Sequence, residues 1–241
     1  TTLFRSKNAD GKLIINNTDA IEINYENPPI PNGWKHISGE WHKGFVIERE
    51  SDKSQFVWIP VSILTSDGTL DGHTFDKKFG RRYFRKKNSS FNLIYNEAFE
   101  GTLQKQAESV KKYGGFYISR YEMSTQNGKP SSVKNLEPLT NIDFYEAVTL
   151  AKSFENSSEV KSHLTYGAEY DSTLKWIIES NTKKERDVVV DSAEWGNYAN
   201  FCKTSKIEKT GSNETWCANG IYDLAGNVEE WTQEKFDGCF R

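Results

Sequence analysis

The chain is short of the residues that mark several common protein classes. Its 241 residues hold three cysteines, Cys202, Cys217 and Cys239, with no CxxC spacing. An odd, scattered set neither builds a disulfide framework nor spells a zinc site. Cys202 and Cys217 flank a polar loop, and two readings stay open: a bridge stabilising by roughly 3 kcal/mol, or three unpaired thiols. There is no run of about 18 apolar residues, so no helix is expected to span a membrane. There is no signal-peptide pattern either, and the first residue is Thr1, the mark of a processed product or a fragment. Neither sign of charge dominates: 31 basic residues stand against 34 acidic ones, a net charge of −3. That balance argues against nucleic acid as a main partner, because phosphate binding draws on clustered positive charge. No Gly-rich phosphate loop, GxSxG elbow or Ser-His-Asp set is present. The histidines, His36, His42, His73 and His163, show no metal-binding spacing.

Hydrophobic residues are scarce at 36%, whereas aromatics reach 13%. Large rings fill a core with few residues, so the composition fits a loop-rich fold on a modest regular skeleton. Residues 1–27 read as a small β element: Leu13-Ile14-Ile15 and Ile21-Glu22-Ile23 surround a turn cluster, Asn16 to Asp19. Pro28-Pro29-Ile30-Pro31-Asn32-Gly33 is a stiff break. It divides an N-terminal segment, 1–31, from a domain over 32–241.

Within that domain, Gly44–Glu48 and Gln55–Pro60 are β-rich runs about a charged turn and predict a hairpin. Residues 65–92 form a polar excursion. Its stretch Lys77–Lys87 mixes basic residues with Phe79, Tyr83 and Phe84. The composition suits nucleic acid or an anionic glycan, but a solvated insertion beside Asp71, Asp76 and Glu97 fits a net-acidic chain better.

Asn96 to Tyr113 carries Phe99, Leu103, Gln106 and Val110 at helical spacing, stopped by Gly114-Gly115. Phe116 to Met123 reads as a strand. A second helix is predicted over Leu139–Phe154, with Thr140 as N-cap, Asp143 three residues on, and Phe144, Val148, Ala151 and Phe154 along one face. A third spans Ala168–Ser180 with Leu174 and Ile177-Ile178 inward. After Asn181 the pattern is long loops with short strands.

The most specific stretch is Asn219 to Arg241, NGIYDLAGNVEEWTQEKFDGCFR. It resembles the NG-LYD-(M/L)-x-GNV-x-EW-T block of the formylglycine-generating enzyme, or sulfatase-modifying factor, family. Three earlier blocks line up in order. Phe116 to Ser124 resembles the family's F-x-I-x-x-Y-E-V-T strand, and Pro138 to Val148 its P-V-x-x-V-S-W-x-D-A helix. His163 to Asp171 resembles R-L-P-T-E-A-E-W-E, with Arg, Pro, Thr and Glu replaced. Together the blocks cover roughly Gly114 to Glu234, about half of the chain.

The resemblance implies an α+β, loop-rich, C-type-lectin-like fold. It implies one of two functions. The first is a non-catalytic ligand- or receptor-binding module of a phage particle or bacterial surface, of the kind that includes proteins diversified by retroelements. The preamble Gly33 to Val61 resembles the prophage-type members. The second is a copper-dependent oxidase that converts a sulfatase cysteine to formylglycine. That chemistry needs two closely placed cysteines to bind Cu(I). In the family they follow the signature block, and Cys239 lies before their position. The chain as given lacks the pair, so no catalytic residue and no copper are expected here.

Calcium is the cofactor that the resemblance implies. Asp223, Gly226, Val228 and Glu230 occupy the positions of a family calcium site, with two carboxylates and two backbone carbonyls as hard oxygen ligands. The enzymes carry Asn where Asp223 stands. The competing reading is a plain turn at Gly226-Asn227 with a solvated Glu230. A second family calcium site, near Asn200, lacks an evident acidic partner. The expected partner is a protein or glycan ligand on a cell surface, and the expected location is extracellular, cell-surface or virion.

Overall fold

The computed structural model describes residues 28–40, 43–61, 95–97, 100–198, 206–236 and 239–240. The β element expected over 1–27, the basic stretch at 77–87, His42, His73, Asn200 and Cys202 lie outside the described residues.

The centre is a four-stranded antiparallel sheet, ordered β1-β2-β3-β5, from β1 (Trp34–Ser38), β2 (Val46–Arg49), β3 (Gln55–Pro60) and β5 (Gly115–Ser119). The predicted hairpin is β2–β3, with Val46 opposite Val57 and Ile47 opposite Phe56. Strand alternation sends Val46, Val57, Ile59, Phe116 and Ile118 to one face. There they join Val110, Trp176 and Ile177 in the main core. Phe45, Ile47 and Trp58 go to the other face, with Trp34, Phe56 and Tyr117 packed around them. Burying both faces explains why β3 reads as a nearly continuous apolar run.

Among the described residues, four helices flank the sheets: α1 (Glu100–Tyr113), α2 (Phe144–Phe154), α3 (Gly167–Glu179) and α4 (Glu185–Val189). The first begins later than the sequence predicts, because Tyr95–Glu97 forms β4 and pairs with β10 (Glu234–Phe236). It ends as predicted at Gly114, whose φ of +81° suits a residue without a Cβ. The second helix also starts later. Asn141 has a φ of +57°, which breaks any helix begun at Leu139. The N-cap is therefore Asp143 rather than Thr140: Asp143 accepts from the Glu146 amide at 2.9 Å, and Glu146 returns a carboxylate to the Asp143 amide at 3.0 Å. The third helix matches its prediction, with Ile177 fully buried. The short α4 is not foreseen in the sequence. The expected strand 116–123 ends at Ser119, and the residues after it turn toward the site.

The chain entry is stapled by Arg49. Its guanidinium stacks on Phe154 at 3.9 Å and donates to Asp52 and to the Phe154 carbonyl, tying β2 to the end of α2. The Pro-rich break packs against the same region, since Asn32 donates to Glu159 from its backbone at 3.0 Å and its side chain at 2.6 Å. The remaining strands are short: β6 (Ser124–Gln126) with β7 (Lys129–Ser131), β8 (Cys217–Ala218) with β9 (Ile221–Tyr222), and β11 (Cys239–Phe240) beside β10. The architecture is α+β with antiparallel sheets, and no helix among the described residues is long and apolar enough to cross a membrane.

Candidate functional site

The Asn219–Trp231 block folds as a chain of tight turns. Asn219 and Gly220 both have positive φ, 49° and 85°, as the two-residue turn between β8 and β9 requires. The Asn219 side chain donates to Ser180 Oγ at 2.6 Å, docking this turn on the end of α3. Next comes Asp223, at a φ of 57° and 1% exposed. Its Oδ2 accepts from the Gly211 amide at 2.6 Å, while its Oδ1 is buried without a partner among the described residues. Burial pushes this carboxyl above its ordinary range, and the Gly211 hydrogen bond only partly offsets the push.

Gly226 and Asn227 form the next corner, both with positive φ. A Cβ at Gly226 would stand 2.6 Å from the Asn197 carbonyl oxygen. Asn227 is the hub of the loop. Its Oδ1 accepts from Asn197 Nδ2 and from the Glu208 amide, each at 2.9 Å. Its Nδ2 donates to the Glu208 carbonyl at 3.1 Å and to Glu122 Oε2 at 2.5 Å. The next amide, of Val228, donates to Glu122 Oε1 at 3.1 Å. Trp231 closes the loop, donating from Nε1 to the Ile142 carbonyl at 3.0 Å and meeting Phe144 edge-on at 6.1 Å. Two residues on, the Gln233 amide donates to Thr165. The signature block thus binds to each of the three earlier blocks of the resemblance.

Glu122 is a site residue that sequence reasoning passed over as part of a strand. It is 8% exposed, and burial beside Asp223 drives its carboxyl up to about 8, although both of its donors favour the ionised form. Enclosure and the nearby Glu122 and Asp223 also hold Glu230 well above the usual carboxylate range. Glu230 is exposed along the groove wall, so water tempers that push more than at Glu122. The structure therefore gathers Asp223 and Glu230 around Glu122 as three carboxyls of like charge. Among the described residues, no three His, Cys, Asp or Glu side chains are arranged to hold a metal ion. Three oxygens at the expected calcium positions nonetheless lack a donor among those residues: Asp223 Oδ1 and the carbonyls of Gly226 and Val228.

The loop floors a groove of about 1080 Å³, with Glu122, Tyr170, Tyr198, Asn227, Glu230 and Trp231 in its walls. Cys217 lies apart from the groove walls as a free thiol whose pKa burial raises, the opposite of an activated nucleophile. His36 stacks on Phe45 at 4.1 Å, and His163 bonds to the buried Glu169. No family model matches the chain, and neither a curated protein nor a solved structure matches it.

Proposed function

We propose that this chain is a non-catalytic ligand- or receptor-binding module of a phage particle or bacterial surface, built on a C-type-lectin-like fold. The observation that carries the reading is the groove over the Asp223–Trp231 loop. Tyrosines and a tryptophan give it broad, rigid contact area, and Asn141, Asn227, Glu229 and Glu230 give it hydrogen-bonding groups. A protein or glycan on a cell surface is the partner such a lining suits.

Calcium fits the same loop. A cation held by Asp223 and Glu230, with the Gly226 and Val228 carbonyls, would satisfy three donorless oxygens and neutralise the carboxyls crowded about Glu122. Its role would be structural, ordering a loop with little apolar side chain.

The reading is tested by probing the purified chain, with calcium, against a glycan array and a panel of intact bacterial cells. Saturable binding that Tyr198→Ala weakens supports it. Conversion of a sulfatase-derived cysteine peptide to the aldehyde by the chain would overturn it in favour of the oxidase.

A further inference from the structure

The outer edge of β5 has no strand beside it among the described residues, since β5 ends the order β1-β2-β3-β5. The hydrogen bonds toward β3 come from one set of alternating residues. The Val61 amide donates to the Gly114 carbonyl and the Arg120 amide to the Gln55 carbonyl, each at 2.9 Å. Antiparallel alternation therefore turns Phe116 and Ile118 inward as well, and leaves the amides and carbonyls of Gly115, Tyr117 and Ser119 facing outward. None of those outward groups has a hydrogen-bond partner among the described residues.

This edge is partly buried. It lies in a slot where the large groove meets a second cavity of about 550 Å³, and Ile118, Ser119, Met123, Ala151, Leu164 and Thr165 line both. α2 and the segment Ser162–Thr165 contribute to the same linings. The second cavity also holds the Tyr117 ring, whose hydroxyl is buried without a partner among the described residues. A row of unpartnered backbone groups is an incomplete sheet. A single extended segment would complete it. Beyond Ser119, the described residues of the large groove include Glu229 and Glu230 and no Lys, Arg or His.

From this juxtaposition we infer that β5 binds a ligand by strand addition: an extended peptide of a partner protein pairs with Gly115, Tyr117 and Ser119 and places a Lys or Arg against the carboxylates beyond Ser119. Main-chain pairing supplies the affinity and the acidic end supplies the choice of partner. The inference rests on the reading of the chain as a binding module and names one class of ligand for it.

The experiment uses the full chain and a phage-displayed library of random ten-residue peptides. Amide hydrogen exchange, followed residue by residue, comes first. Tyr117 and Ser119 amides should exchange at least ~100-fold faster than those of Phe116 and Ile118 in the same strand. Protection of all four in the free chain would overturn the inference, because a segment of the chain itself then fills the slot. Selected peptides should contain Lys or Arg and should protect Tyr117 and Ser119 when bound. N-methylation of the peptide should cost ~10-fold in affinity at alternate residues and little between them. Ser119→Pro, which removes one outward donor and leaves the inner ladder intact, should weaken binding ~10-fold, whereas Ser119→Ala should not. Glu229→Lys should weaken binding of the same peptides. Failure to select any peptide, or binding insensitive to Ser119→Pro in a variant with unchanged thermal unfolding, overturns strand addition. Saturable binding of a glycan or folded protein in that case leaves the broader reading standing.

Discussion

Glu122 and Asn227, separated by 105 residues in the chain, are joined by a hydrogen bond of 2.5 Å from the Asn227 amide to a carboxylate that is almost fully buried. The pair links the turn after β5 to the corner of the signature loop. Removing the amide leaves Glu122 with only the Val228 N–H and strips the Glu208 amide of its acceptor. Asn227→Ala is expected to destabilise the fold by about 2–4 kcal/mol, since several buried polar groups lose partners at once. Asn227→Asp should cost at least as much, because it sets a fourth carboxyl against Glu122. Urea denaturation of the variants checks both, and a loss under about 0.5 kcal/mol for either would refute the hub role.

A second expectation concerns pH. A carboxyl whose folded-state pKa lies above its unfolded one stabilises the fold while it carries its proton. That contribution is complete below about 4.5 and is lost as pH rises through about 8, the value for Glu122. Asp223 and Glu230 shift in the same direction. In chelator, the melting temperature should therefore fall between pH 5 and pH 8. Glu122→Gln, which keeps the shape and carries no charge, should flatten the slope. A wild-type curve that rises over this interval would contradict the assignment.

Saturating calcium should oppose that loss, because it compensates the same carboxyls. Binding to the folded state alone contributes about 2.7 kcal/mol when the ion is at 100 times its Kd. Chelation of metal-stripped, calcium-loaded protein should lower the melting temperature, and Asp223→Ala or Glu230→Ala should remove that sensitivity. Overlaying wild-type curves with and without chelator would remove calcium from the account.

The Arg49 staple yields a prediction of opposite sign in pH. Its hydrogen bonds, with that of the Ser54 amide, outweigh partial burial and hold Asp52 below the ordinary carboxylate range. That stabilisation is present above the unfolded pKa and fades as pH falls through the depressed one. Arg49→Ala should cost about 1–3 kcal/mol near neutrality through lost stacking and hydrogen bonds. The cost should shrink in acid, as denaturation at pH 7 and pH 3 would show.

At Gly226 the φ of +81° and the 2.6 Å approach to Asn197 act together. Gly226→Ala strains the backbone and presses a methyl on a carbonyl, and should destabilise by about 2–4 kcal/mol. Thermal unfolding within a degree of wild type would show that the loop yields freely.

Local patterns in the chain were enough for the β2–β3 hairpin, the stop at Gly114 and α3, because alternation, helical spacing and glycine punctuation act over a few residues. They were also enough to mark Asp223–Trp231 as a turn-rich block. Where elements begin depended on partners far away. β4 took Tyr95–Glu97 from the predicted helix by pairing with β10, and Asn141, in a left-handed conformation, moved the cap of α2 to Asp143. The role of Glu122 was equally hidden. Nothing beside it in the chain distinguishes a surface glutamate in a strand from a buried acceptor. Only tertiary packing decided that it would meet Asn227, Asp223 and Glu230, because burial and like charge are properties of the assembled neighbourhood and not of any short stretch of residues.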